Sequence, residues 1–196
     1  PGETIPGASN LDEKAFSALA SSYFIENRGQ IRSDDLALYS SGGNVFFTPA
    51  GVTYRFGDTI NDVETGVVLT YAFVGANPVE PRGVNRCAWD SNYLLGSDPA
   101  GWKTGVPNYY EVVYPQLWDG VDLVYRLQGN GVKYDLVLAP SADPAQIAFQ
   151  VTGGDGISVN PAGDLVISNG YADVIDGGLV ATYADGMQEP VPCRFS

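Results

Sequence analysis

Val121-Asp-Leu-Val-Tyr-Arg-Leu-Gln128, then Gly129-Asn-Gly131, then Val132-Lys-Tyr-Asp-Leu-Val-Leu138 is the stretch that decides the fold class. Two runs rich in Val, Leu and Tyr flank a Gly/Asn turn, the pattern of a β-hairpin. With Asn130-Gly131 as a two-residue type I′ turn, Gln128 faces Lys133, Leu127 faces Tyr134, Arg126 faces Asp135 and Tyr125 faces Leu136. Polar then meets polar and apolar meets apolar at each step. A slip of one residue would send each side chain to the wrong face, so the pattern predicts this register.

The same grammar recurs on either side. Asn160-Pro-Ala-Gly163 separates Ile157-Ser-Val159 from Asp164-Leu-Val-Ile167, and Thr48-Pro-Ala-Gly51 separates Val45-Phe-Phe47 from Val52-Thr-Tyr54. Pro and Gly stand where tight turns require them. Further strands are predicted at 23–26, 36–39, 44–48, 52–56, 67–74, 109–114, 146–151, 165–167 and 179–183. Residues 75–108, rich in Pro, Gly, Asn and Trp, lack a period and read as a packed covering loop or a functional surface. Residues 1–10 read as an arm. Asn10 and Glu13 form a variant capping box ahead of Leu11, Ala15, Phe16 and Leu19, which predicts a short helix over 11–21. The expected architecture is all-β, a two-sheet antiparallel sandwich with one short N-terminal helix: an arm over 1–22, then a single β domain over 23–196.

Composition agrees. The 196 residues are 44% hydrophobic and only 17% charged, which excludes a disordered chain, and 24 Gly and 13 Pro supply turns. Ten Lys and Arg face 23 Asp and Glu, a net charge of -13. Such a chain repels phosphate backbones, so nucleic acid is excluded as a partner, and anionic membranes are disfavoured. No apolar run reaches the ~18 residues of a membrane span. Pro1-Gly-Glu-Thr-Ile-Pro-Gly7 lacks the basic start and apolar run of a signal peptide and reads as a processed or trimmed terminus. Acidity suits a secreted, soluble protein.

The chain contains no His. This removes His-dependent triads and His-ligated metals. Carboxylates are the remaining catalytic material. Asp119 and Asp122, with Glu111 near, have the residue types of a glycosidase, but Asp119-Gly120 reads as a turn, so no catalytic residue is assigned. Oxygen donors cluster twice, at Asp58, Asn61 and Asp62 and at Asp90, Asn92 and Asp98. These are candidate calcium ligands, without EF-hand spacing, set against ordinary solvated turns; no other cofactor is expected. Cys87 and Cys193 are the only cysteines. In an oxidising compartment they are a candidate disulfide whose long loop would be worth ~4–5 kcal/mol; two buried thiols, or pairing with another subunit, are the alternatives. Trp89, Trp102 and Trp118, with Tyr109 and Tyr110, are either core or a platform for sugar rings.

A series of segments resembles a known domain: Tyr23-Phe-Ile-Glu-Asn-Arg-Gly-Gln30, Val45-Phe-Phe-Thr-Pro-Ala-Gly-Val52, Gly75-Ala-Asn-Pro78, Asn92-Tyr-Leu-Leu-Gly-Ser-Asp-Pro99, Trp102-Lys-Thr-Gly-Val-Pro107, Gly120-Val-Asp-Leu-Val-Tyr125 and Tyr134-Asp-Leu-Val-Leu-Ala-Pro-Ser-Ala-Asp-Pro144. Together they are similar to the uncharacterised "ENRGQ" domain at the start of large bacterial and archaeal surface proteins, often ahead of SBBP-type β-propeller repeats. The likeness covers about residues 23–190 and implies no catalytic residue. It implies an extracellular or cell-surface location and a non-enzymatic structural role, with no propeller repeat in this chain. The expected partners are further copies or other surface proteins. Self-association is expected through the arm, with Ile5, Leu11 and Phe16 buried in a neighbour. Carbohydrate binding through the Trp/Tyr-rich 89–118 region is the alternative.

Overall fold

The computed structural model describes residues 23–60, 63–128, 131–170, 173–183 and 191–195. The expected helix over 11–21 and the arm residues Ile5, Leu11 and Phe16 lie outside this set. The described residues form strands and two 3-10 turns, Pro99–Gly101 and Pro144–Gln146. None of their helices is long and apolar enough to cross a membrane. The chain divides into two compact units between Thr152 and Gly153.

The first unit is one ten-stranded antiparallel sheet. Its strands are β1 (Phe24–Glu26), β2 (Leu38–Ser40), β3 (Val45–Thr48), β4 (Gly51–Ile60), β5 (Val63–Phe73), β6 (Arg82–Tyr93), β7 (Lys103–Trp118), β8 (Val121–Gln128), β9 (Gly131–Leu138) and β10 (Phe149–Thr152). The order is β10-β5-β4-β3-β2-β1-β7-β8-β9, with β6 also on β7. β7 is the hub. Tyr109 pairs both Phe24 of β1 and Arg86 of β6, and Val112 pairs both Gly83 of β6 and Tyr125 of β8. Hence β6 lines one edge of β7 while β1 and β8 share the other.

The sheet curls until its ends meet. Phe149 on β10 lies 6.2 Å from Tyr134 on β9, at the opposite end of the strand order, and 5.4 Å from Trp118. Phe24, Phe47, Leu69, Tyr114, Leu117, Leu123 and Tyr125 are buried inside the curl. Edge-to-face ring contacts link Phe24, Phe47 and Tyr125, and join Phe73 to Tyr114. The expected pair of sheets is therefore corrected: the facing layers of this unit belong to one continuous hydrogen-bonded sheet. The second unit carries its own small sheet of β11 (Gly156–Val159), β12 (Leu165–Ser168) and β13 (Val174–Asp176).

Both Pro-Ala-Gly turns form as read. Thr48 pairs Gly51, and Val159 pairs Leu165 with Gly163 at φ 92°. The β8–β9 hairpin forms in a different register: Gln128 opposes Gly131, Leu127 opposes Val132, Arg126 opposes Lys133 and Tyr125 opposes Tyr134. The shift from the expected pairing is two residues. Side chains alternate with period two, so the shift preserves both faces, and polarity alone could not detect it. Residues 75–108 are the larger correction, because they contain β6 and the start of β7. β6 escapes periodicity since its pairing slips between Arg86 and Asp90 and again between Ser91 and Tyr93, and Asn85 has φ 55°. Residues 179–183 form no strand, only the bridge Ala181–Val191.

Candidate functional site

The Glu26–Gln30 segment folds into a knot of its own hydrogen bonds. Asn27 Oδ1 accepts from the N–H groups of Gly29 and Ile31 at 3.2 Å each, and its amide donates to the carbonyls of Ile31 and Leu36 at 3.1 Å. Gln30 Nε2 donates to the Glu26 carbonyl at 2.6 Å and to the Tyr39 hydroxyl at 3.1 Å. Arg28 Nε donates to Glu26 Oε1 at 2.8 Å, and the Tyr109 hydroxyl donates to Glu26 Oε2 at 3.1 Å. Gly29 sits at φ 91°, a conformation Gly adopts without strain. This segment is spent on shaping the turn after β1 and tying it to β7.

The carboxylates singled out as catalytic material go to separate partners. Glu111 accepts from Arg126 Nε at 2.7 Å and from Asn85 Nδ2 at 2.7 Å. Asp119 accepts from Asn77 Nδ2, and Asp122 accepts from the backbone N–H of Gln116 at 2.7 Å. Arg126 also pairs with Asp135. The calcium candidates fare likewise. Asp90 pairs with Arg86 at 2.7 Å, Asn92 accepts from Gly105 N–H at 2.9 Å, and Asp98 caps the turn at Ala100. Asp58 is on β4 opposite Thr65, whereas Asn61 and Asp62 lie outside the described residues. Among the described residues no three Cys, Asp or Glu side chains are grouped as metal ligands.

Cys87 and Cys193 are free thiols, so the expected disulfide is not formed in this structure. Cys87 is 5% exposed on β6, in the first unit, and burial pushes its thiol pKa up. Cys193 is exposed in the second unit, its Sγ 3.7 Å from the Leu179 carbonyl oxygen.

The three tryptophans separate. Trp118 is 1% exposed and donates its indole N–H to the Val74 carbonyl at 3.0 Å, so it is core and leaves the candidate platform. Trp102 is partly exposed, its N–H donated to Gly96 at 3.1 Å. Trp89 is 46% exposed and lies against two tyrosines: Tyr23 at 5.9 Å and 88°, and Tyr110 at 6.1 Å and 83°. The slipped pairing after Arg86 carries Trp89. Asn108, fully buried, holds that irregular stretch by donating to the Trp89 carbonyl at 3.2 Å and accepting from Ser91 Oγ at 3.0 Å. Tyr23 and Asn108 carry no signal in the sequence, because their part depends on pairing across β1, β6 and β7.

A second exposed feature lies on the small sheet. Among the described residues β11 pairs only β12, and all four of its residues are exposed. Asn160 N–H donates to the Asp164 carbonyl at 3.0 Å. Antiparallel bonding alternates from there, so Ser158 and Gly156 bond β12, while Ile157 and Val159 turn their N–H and C=O groups to the open edge.

No curated protein and no solved structure matches the chain. The family described as a domain of unknown function (DUF7948) matches residues 24–196, across both compact units and all thirteen strands of the described residues, and the chain belongs to that family.

Proposed function

We propose that the chain is an extracellular or cell-surface structural module, non-enzymatic, that associates with further copies through a strand edge. In this reading it is the ENRGQ-type domain of surface proteins that carry propeller repeats. The observation that carries it is β11. Its Gly156-Ile-Ser-Val159 edge has no charge in a chain of net charge -13, no partner strand on its outer side among the described residues, and two exposed β-branched side chains. Sheets with such edges pair with other strands unless charge, Pro or a bulge blunts them. Two copies of β11 laid antiparallel would make a self-complementary, two-fold contact. The carboxylates at Glu111, Asp119 and Asp122 support a structural role, because each is engaged in holding strands and turns.

The test is light scattering over a concentration series, at low salt and with added sodium or calcium chloride. Either cation screens the -13 charge, so association is expected to rise with both. Val159→Pro removes an outward N–H while sparing the bonds to β12, and is expected to give monomers with an unchanged far-ultraviolet spectrum. Replacing Ile5, Leu11 and Phe16 together by Ser tests the arm; association abolished there and intact in Val159→Pro would move the contact from the edge to the arm. Monomers under all conditions would end the proposal.

A further inference from the structure

We infer that Trp89 and Tyr110 form a stacking subsite for an uncharged pyranose ring, such as a unit of a neutral polysaccharide. The inference is independent of how copies associate. Both rings are about half exposed, 46% and 47%, so they are surface and not core. Trp89 is held in place from behind. Asn108 is buried completely and has two hydrogen bonds, both to the irregular stretch that carries Trp89. Burying an amide is costly unless it is bonded, and here the bonds fix the backbone under one indole. Tyr23 packs against the same indole at 5.9 Å, and Tyr110 lies against it at 6.1 Å and 83°. Irregular strand pairing is a recurrent way of re-aiming a side chain at a ligand. The result is an indole whose orientation is set before any ligand arrives, which lowers the ordering cost of binding.

Size and charge narrow the ligand. Two half-exposed rings offer on the order of 200 Å², the footprint of one or two sugar rings and far short of the ~800 Å² per partner of a stable protein interface. The C–H groups on one face of a pyranose meet the electron-rich face of an indole favourably. The net charge of -13 disfavours a polyanion such as a uronate or sulfated glycan.

The experiment is calorimetry and tryptophan fluorescence on the full chain. The probes are hexasaccharides of glucose (β-1,4 and β-1,3), xylose, mannose and N-acetylglucosamine, with polygalacturonate as the charged comparison. At least one neutral probe is expected to bind saturably. Trp89→Ala should weaken it by about tenfold or more, Trp89→Tyr should restore most of the loss, and Trp102→Ala should leave it unchanged. Melting temperature is measured for each variant, so that loss of binding is separated from loss of fold. The inference is overturned if no neutral probe binds, if binding survives Trp89→Ala, or if polygalacturonate binds as well as the neutral chains.

Discussion

Tyr114 is a buried phenol whose hydroxyl donates to the Thr48 carbonyl at 2.9 Å, and burial holds its pKa well above the ordinary tyrosine value. Tyr93 is also shifted upward, first by burial and then by its hydroxyl contact with Tyr39 at 2.6 Å. A phenol whose pKa is higher folded than unfolded keeps its proton longer in the native state. The stability it contributes is present below the unfolded value, about 10, and is lost as pH rises past it, because only the unfolded chain gains by ionising. Denaturant midpoints should therefore hold steady to about pH 9 and fall above about pH 10, with part of the phenolate absorbance appearing only on unfolding. The cysteines give a second expectation at this scale. Thiol reagent should find two free thiols, Cys193 reacting at once and Cys87 far more slowly, because one is exposed and the other is buried with a raised pKa. A non-reducing titration that found none would restore the disulfide.

At the scale of elements, the β8–β9 hairpin and β6 teach opposite lessons. The hairpin's two faces were legible, since Leu123, Tyr125 and Leu127 alternate with polar Asp122, Arg126 and Gln128. Its register was not, because a two-residue shift leaves those faces unchanged. In the observed register Arg126 lies directly opposite Glu111 on β7 and still reaches Asp135 on β9, so one guanidinium ties three strands. The pairs are partly exposed, which limits their worth. Arg126→Ala should cost about 1 kcal/mol in chemical denaturation, with much of that loss screened away in molar salt. A cost of several kcal/mol would mean that the network is less solvated than its exposure implies. In β6, two slips of pairing and one left-handed Asn erase the alternation that reveals a strand, and the same slips lift Trp89 to the surface.

On the scale of the whole molecule, the first unit depends on the meeting of sheet ends that are far apart in strand order. Phe149 makes that junction, its ring within 6.2 Å of Tyr71, Phe73, Trp118 and Tyr134. Phe149→Ala is expected to cost about 3 kcal/mol, with increased exposure of Trp118 to quenchers. A change under 1 kcal/mol would show that the curl closes without it. By itself the sequence determined the all-β class, the Pro-Ala-Gly turns and most strand positions, because these follow from local alternation and from turn residues with fixed backbone demands. It also determined that no His-based chemistry is available, because the chain contains no His. The tertiary structure alone decided that Trp118 is core while Trp89 is surface, that Asn108 supports the indole, and that β11 has no partner on its outer side among the described residues. Each of these depends on which strand lies beside which, and such pairing is set by contacts between residues far apart in the chain, whose energies no local pattern records.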